Sequence, residues 1–465
     1  MIIRRINLQN FRNYEKKTFE FSEGVSLIVG DNAVGKTNLL EAIYLLASGR
    51  SFRVKSVERE MIRYGEEIAR VNGIIQNSKI KNQNDNSKLK IHNDESYYID
   101  PDLRRDDSGK VLEIVLTTGE VGGEKAGKKK YVVDGVPKRG FDFLGNFRAV
   151  CFGPEDLELI TDSPSLRRKY LDSVLVQVDR EYARCLLAYE KGIRARNKLL
   201  EGIREEGRGG DFIRRPLAET SPMHIGEGKG DALVGTIDEN YRRRLYFWDQ
   251  LVIKNGGVLT EKRGKYIDFL NDNLLMHLTG LDADNTDKLY ADNADIPKDA
   301  FSSFNSYFCI EYDKSLISED RLKQYEREEI ASATTLVGPH RDDFVVKIKN
   351  QKSKIKNNEE NNYIDSDLHR NDSGRDLSVY GSRGEQRLAI LWLKLGELAY
   401  IEKETGDKPA LLLDDIFSEL DEEHRELVLN LVGKQQTIIT TADGGVVREL
   451  EKIGKFGVVN KIGIL

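Results

Sequence analysis

Gly30 to Thr37 reads GDNAVGKT and satisfies the phosphate-binding pattern G-x-x-x-x-G-K-[ST]. Gly30 and Gly35 would let the chain wrap, so that the main-chain amides of Asp31, Asn32, Ala33 and Val34 and the start of the following helix at Asn38 point at phosphate oxygens. Lys36 would reach the β- and γ-phosphates, and the Thr37 hydroxyl would hold Mg²⁺. Far downstream, Leu411-Leu412-Leu413 runs into Asp414 and Asp415. A carboxylate at the end of a buried strand suits the Mg²⁺ shell, which assigns Asp414 to the metal. Asp415 would polarise an attacking water. A third stretch, Ser382-Arg383-Gly384-Glu385-Gln386, opens a helix with a serine and a glycine. That is a second phosphate-type site, although an ordinary N-cap explains the same residues.

These groups need elements to hold them. Val25, Leu27, Ile28 and Val29 read as a buried strand, and Leu39, Leu40, Ile43 and Leu46 have helical spacing after the glycine turn. Met1 to Leu8 reads as a strand, followed by Asn10-Phe11-Arg12-Asn13-Tyr14 and a second strand through Phe19 and Phe21. Gln436 to Thr441 reads as a last buried strand, and Leu388, Leu391, Trp392, Leu395 and Leu398 form one face of a helix. Between these parts, Leu171 to Ile193 reads as one long helix with arginines on its other faces, and helix resumes through Arg242 and again from Ile267. Ala333 to Val337 and Phe344 to Val346 read as strands. The resulting division is an α/β head over 1–150 and 331–465, with a mainly helical domain inserted over 151–330.

Three stretches fall outside this scheme. SKIKN followed by a YID-(P/S)-DL segment occurs twice, within 78–109 and 353–374, and the composition is that of loop. The two copies are read as one insertion placed at two hairpin tips, after Val71–Ile75 and after Phe344–Ile348. Residues 202–235 are rich in Gly and Pro and read as a long loop. The chain has 39% hydrophobic and 32% charged residues, which marks a soluble globular protein. No apolar run is long enough for a membrane span. Cys151, Cys185 and Cys309 are widely separated and read as buried thiols of a reducing cytoplasm. A net charge of −6 still leaves 72 Lys and Arg to build a basic patch. Arg12 and Arg53 are the first candidates for phosphate or DNA contact, followed by Arg139, Arg148 and the helical arginines.

The order of motifs resembles that of the ATP-binding-cassette and SMC-like ATPases: P-loop, helical insertion, S-x-G-E/Q helix, strand with Asp-Asp, then Ser418 to Asp421 (SELD). Within that superfamily the match narrows to the RecF family. It is carried by LQNFRNY at Leu8 to Tyr14, the run Gly30 to Arg53, FGPEDLELITDSPSLRRKYLD at Phe152 to Asp172, GPHRDDF at Gly338 to Phe344, YGSRGEQRLAILWLKLGE at Tyr380 to Glu397 and LLLDDIFSELD at Leu411 to Asp421. The resemblance implies an ABC-type ATPase head whose cofactors are ATP and Mg²⁺. It implies that Ser382, Gly384, Glu385 and Gln386 act in trans on the ATP of a second copy, and that Ser418 and Asp421 form a D-loop. Glu155 falls at the family's Q-loop, near the metal, and Thr440 or Thr441 stands where transporter relatives have a histidine. The implied partners are double-stranded and gapped DNA, a second copy bound through ATP, and RecR- and RecO-type mediators. ATP hydrolysis would be slow and DNA-dependent, serving as a timer, in a cytoplasmic, nucleoid-associated protein.

The chain departs from the family pattern at both polar insertions, at 202–235 and at Glu385, where glutamine is more usual. Other P-loop classes fit less well. An SMC arm would need sustained heptads, which are missing. A transporter subunit would lack the RRINLQNFRNY start and would carry the histidine, and a metabolic kinase needs no S-x-G-E/Q helix.

Overall fold

The computed structural model describes residues 1–53, 58–76, 109–209, 239–273, 307–349, 374–418, 425, 428–429, 432–442, 445 and 460–463. Both polar insertions except Gly109 and Gly374, most of 202–235 and Asp421 lie outside the described residues, as does the side chain of Ser418.

Strands β1 (Ile2–Phe11), β2 (Tyr14–Glu20), β3 (Val25–Val29), β4 (Ile68–Gln76), β5 (Lys110–Thr117), β8 (Lys129–Val133), β9 (Val136–Lys138), β10 (Ala149–Phe152), β14 (Ala410–Asp414), β15 (Thr437–Thr441) and β16 (Asn460–Gly463) build two sheets. A short ribbon, β6 (Glu120–Val121) with β7 (Glu124–Lys125), decorates them. The first sheet runs β2-β1-β4-β5-β8-β9 and is antiparallel. In β1 the register shifts between Ile3 and Arg5, and that bulge re-phases the pleat so that Ile3, Ile6 and Leu8 are all buried; Phe11, also buried, follows Asn10 at φ +50°. The second sheet runs β10-β14-β15-β3-β16 and is parallel throughout. Every residue of β10, β14 and β15 is buried, as expected when both faces of a parallel sheet are covered.

The helix Lys36–Ser48 packs against strands of both sheets. It is therefore buried nearly all round, more than a one-faced apolar pattern requires, and even Glu41 has no exposed surface. Parallel register sets the functional edge: Val29 lies opposite Thr441, Thr440 opposite Asp414, and Leu413 opposite Phe152. The turns after these strands thus meet at one end of the sheet, where open α/β sheets bind ligands.

Compact units divide at other places than the expected domain edges. One comprises 1–183, 265–311 and 344–465, and the other 184–264 and 312–343. The expected single helix from Leu171 to Ile193 is two, Pro164–Val178 and Arg180–Gly209. The break is at Asp179, whose extended backbone ends the first helix and whose carboxylate accepts from Tyr182 N at 2.9 Å. The second helix takes in Gly202 to Gly209, so the loop reading of that stretch is corrected.

In the smaller unit, Ala333 to Val337 is not a strand. Thr335 N donates to Asn197 Oδ1 (2.9 Å), Leu336 N to the buried Glu329 carboxylate (2.7 Å), and Thr335 O accepts from Arg341 (3.0 Å). Side chains meet the backbone groups that a strand ladder would otherwise pair. Arg196, 1% exposed, reaches Asp249 (2.6 Å) and Glu329 (2.7 Å) and anchors this segment.

The hairpin reading of the two insertions agrees with their flanks. Ile75 of β4 pairs with Lys110 of β5, and Ile348 of β12 (Asp343–Ile348) pairs with Arg375 of β13 (Arg375–Asp376), both antiparallel. Cys151 and Cys185 are buried, but Cys309, in β11 (Phe308–Asp313), is half-buried.

Candidate nucleotide-binding site

Gly35 caps the helix Lys36–Ser48 with φ +112°, a conformation that favours glycine. A Cβ there would stand 2.6 Å from Asn13 Nδ2 and 3.0 Å from the Tyr14 hydroxyl. These two side chains brace the loop from outside. Asn13 donates to Val34 O (3.0 Å) and accepts from Asn38 (2.7 Å), while the Tyr14 hydroxyl donates to Gly35 O (3.0 Å). Burial pushes the Tyr14 phenol up to about 12, so it remains a donor. Lys36 Nζ donates to Gly30 O (2.7 Å) and Asp31 O (2.9 Å), which folds the ammonium into the loop's concave side.

Across the strand ends, two hydroxyls converge on one carboxylate oxygen. Thr37 Oγ1 (3.0 Å) and Thr440 Oγ1 (2.7 Å) both donate to Asp414 Oδ1. Burial pushes the Asp414 carboxyl up from its ordinary value, opposed by the hydrogen bonds from Thr440 and Thr37 and by the charge of Arg53. Asp415 has φ +49°, and its N–H donates to Thr440 O and Oγ1, each at 3.2 Å. Such a backbone in a non-glycine residue is uncommon, and here the neighbouring strand holds it in place. Glu155 is exposed in the turn Pro154–Leu157, beside this cluster, since Gly153 packs on Asp414 with an added Cβ only 3.4 Å from Asp414 Cβ.

The donor set suits Mg²⁺. A hydroxyl and a carboxylate meet with oxygen ligands only, the sparse protein share that Mg²⁺ takes when phosphates and water supply the rest. Among the described residues no cluster of three or more His, Cys, Asp or Glu could hold a metal by itself, so a softer ion has no such site there.

Ser382 caps the helix Arg383–Thr405 in a capping box: Glu385 N donates to Ser382 Oγ (3.2 Å) and Ser382 N to Glu385 Oε2 (2.7 Å). The other Glu385 oxygen accepts from the Tyr307 hydroxyl (2.6 Å). These bonds, Tyr307 first, hold the carboxyl below its ordinary value. An added Cβ at the exposed Gly384 meets only Ser382 Oγ, at 3.9 Å. Gln386 turns back to Leu377 O and Gly381 O. Among the described residues, no hydrogen bond joins 382–386 to the P-loop of the same chain.

Arg12 and Arg53 are engaged within the fold. Arg12, with φ +52°, forks onto the buried Glu41 through Nε (2.8 Å) and Nη2 (2.7 Å), and Ser51 also donates to that carboxylate. Arg53 donates to Asn38 Oδ1 (2.7 Å) with Nε 3.8 Å from Glu41. Both line an open cleft of about 1310 Å³ with Asn13, Asn38, Arg63 and Tyr64. Arg148 donates to Gln177 O (3.1 Å) and lies 3.6 Å from Asp407, and Arg139 stacks 5.4 Å from the Phe141 ring.

Motif reading missed Asn13, Tyr14 and Glu41 as supports of the P-loop, and assigned no role to Lys394, Glu397 and Asp156, which lie inside the motifs at Tyr380 to Glu397 and Phe152 to Asp172. Lys394 and Glu397 did leave a signal, two charges in the otherwise apolar run LAILWLKLGELA.

The model of the family described as RecF/RecN/SMC N terminal domain matches residues 2–462. The "DNA replication and repair protein RecF" of Caldanaerobacter subterraneus subsp. tengcongensis is 30% identical over 443 residues, covering 95% of this chain and 94% of that protein. The RecF of Thermoanaerobacter pseudethanolicus is 32% identical over 440 residues, with 95% and 94% covered. A solved structure of the recombination mediator protein RecF with ATP, in the RecFOR pathway, is similar with a TM-score of 0.62 and 29% identity, over 95% of this chain and 92% of that one.

Proposed function

Because this chain belongs to the RecF/RecN/SMC family, and within it to the RecF proteins of DNA replication and repair, we propose that it is an ATP-dependent DNA-binding protein whose ATP clasps two copies together near single-strand gaps. In this reading the amides of Gly30 to Asn38 cradle the phosphates, and Lys36 leaves Gly30 O and Asp31 O to bind the β- and γ-phosphates. Thr37 and Asp414 would hold Mg²⁺, with Glu155 on the outer side, and the ion would neutralise charge developing on the phosphates. Asp415 would orient and deprotonate the attacking water. The cleft beside Arg53 and Asn38 has room for the nucleoside.

The observation that carries the reading is the division of the site. Thr37, Thr440 and Asp414 are already assembled around the P-loop, while the Ser382–Gly384 helix start is exposed and bonded only to its own surroundings. A helix N-terminus with open amides is an anion site in search of an anion, and the γ-phosphate of a second copy supplies one. Ser418 and Asp421 would complete that junction. ATP then serves as clasp, and slow hydrolysis releases the pair from DNA. RecR- and RecO-type mediators would use the loaded dimer to place recombinase, in keeping with the RecFOR pathway of the similar solved structure.

The test uses an Asp415→Asn variant, in which turnover is suppressed. With Mg-ATP its mass in solution should double, and it should bind gapped duplex more tightly than blunt duplex. ATP inducing neither the dimer nor DNA binding would overturn the reading.

A further inference from the structure

Helix Arg383–Thr405 buries two charges, Lys394 (8% exposed) and Glu397 (1% exposed). Apolar side chains of similar size would fill the same space without desolvating charge, so stability alone does not account for them. Lys394 Nζ lies 3.0 Å from Asp156 Oδ1 and 3.5 Å from Glu397 Oε2, and 5.6 Å from the centre of the Tyr170 ring. Asp156 is shared: its other oxygen accepts from Gly153 N at 2.8 Å and so shapes the turn Pro154–Leu157. That turn carries Glu155 and packs on Asp414. Tyr44, from the P-loop helix, also faces Lys394.

Glu397 is a weaker competitor for the lysine. Its Oε2 stands 3.5 Å from Nζ, against 3.0 Å for Asp156, and burial pushes its carboxyl up to about 7 although the lysine opposes the shift. Asp156 is thus the closer of the two carboxylates that Lys394 pairs with. An unbroken series of contacts runs from Asp414 through Gly153 and Asp156 to Lys394. From there a continuous helix leads back roughly 18 Å to Ser382.

We propose that Lys394 is a positioning residue that ties the two halves of the nucleotide machinery together within one subunit. Its pair with Asp156 makes the Ser382 end, offered to a partner copy, follow the metal-side turn beside the subunit's own P-loop. Displacing that turn must either carry the helix along or strip the buried Lys394 ammonium of its nearest carboxylate, and the second is the more costly. This inference rests on the ATP-clasp reading, because it assigns a cause to the placement of the end that acts in trans.

The experiment compares full-length Asp415→Asn protein with the same protein carrying Lys394→Met, Lys394→Arg or Asp156→Asn. Asparagine keeps an acceptor for Gly153 N but removes the charge. Three quantities are read: thermal midpoint, Mg-ATP affinity of the monomer, and ATP-induced dimerisation by sedimentation. In Lys394→Met and Asp156→Asn, monomer ATP affinity should stay within about threefold while dimerisation weakens at least tenfold, and Lys394→Arg should recover most of it. Combining Lys394→Met with Asp156→Asn should be no worse than either alone. Undiminished dimerisation in both single variants, or parallel loss of ATP affinity and dimerisation, would overturn the inference. If Lys394→Met fails to fold, the Asp156→Asn comparison decides. A parent protein that does not dimerise with ATP overturns the clasp reading itself, and this inference with it.

Discussion

Arg12 offers the sharpest separation between a structural and a DNA-binding role. Glu41 has no exposed surface, and Arg12, 14% exposed at its side chain, supplies two of its hydrogen bonds at 2.7 and 2.8 Å. Removing one partner of a buried pair costs about 3–5 kcal/mol, because the other charge is left in a medium that solvates it poorly. Ser51 still donates to the carboxylate and Arg53 stands 3.8 Å away, so the loss for Arg12→Ala should fall near the lower end, roughly 2–4 kcal/mol. Arg12→Gly should be about 1 kcal/mol less damaging than Arg12→Ala, since it relieves the positive φ. Replacing both partners, as Arg12→Met with Glu41→Met, should recover much of the loss, with a coupling of about 2 kcal/mol in the double-mutant cycle. Urea denaturation followed by circular dichroism gives these differences, with Mg-ATP binding measured in parallel on the folded protein. The reasoning is refuted if Arg12→Ala shifts stability by less than about 0.5 kcal/mol while DNA affinity and its salt dependence both fall. Arg12 would then be a phosphate contact, and Glu41 would be satisfied by Ser51 and Arg53.

Three further predictions concern single side chains. The Glu397 carboxyl is pushed up to about 7 from 4.5, so between those pH values the unfolded chain ionises and the folded one does not; stability falls as pH rises through that window, by about 3 kcal/mol in all. Glu397→Gln should therefore match the parent near pH 4.5 and exceed it at pH 8 in urea midpoints, and a pH-independent difference would count against the assignment. Thr440→Val removes a donor that favours the charged form of Asp414, so the Mg²⁺ concentration for half-maximal ATPase should rise several-fold, more at pH 6 than at pH 8; titrations of Mg²⁺ at both pH values read this. Glu385→Gln keeps an acceptor for Ser382 N and turns an amide N–H to the Tyr307 hydroxyl, which can rotate to accept it, while removing a charge from the helix start. Its melting temperature should hardly move and ATP-driven dimerisation should tighten several-fold, whereas unchanged dimer affinity by sedimentation would mean that its two donors already neutralise the charge.

The nucleotide elements could be read before any coordinates because each is local. An apolar strand, a glycine that must adopt positive φ and a helix start follow one another without interruption from Val25 to Thr37, and the chemistry is written in their order. Strand readings at β1, β3, β14 and β15 held for the same reason, since alternation or unbroken apolarity reports directly on burial. Segments satisfied by side chains misled that logic. Ala333 to Val337 has the composition of a strand, but Asn197, Glu329 and Arg341 take its backbone groups. The break at Asp179 lies inside a continuous helical periodicity, and only the cap geometry reveals it.

What the sequence determined by itself, then, was the set of reacting groups: Lys36, Thr37, Asp414, Asp415 and the Ser382 helix start. Tertiary structure decided which of them meet. Parallel register places Thr440 opposite Asp414, so two hydroxyls from strands and helices hundreds of residues apart share one carboxylate oxygen. It also turned Arg12 inward to Glu41, and joined Lys394 to Asp156 across 238 positions of chain. Charges of that kind carry no periodic signature, because their partners are fixed by how the sheets and helices stack and not by spacing along the chain.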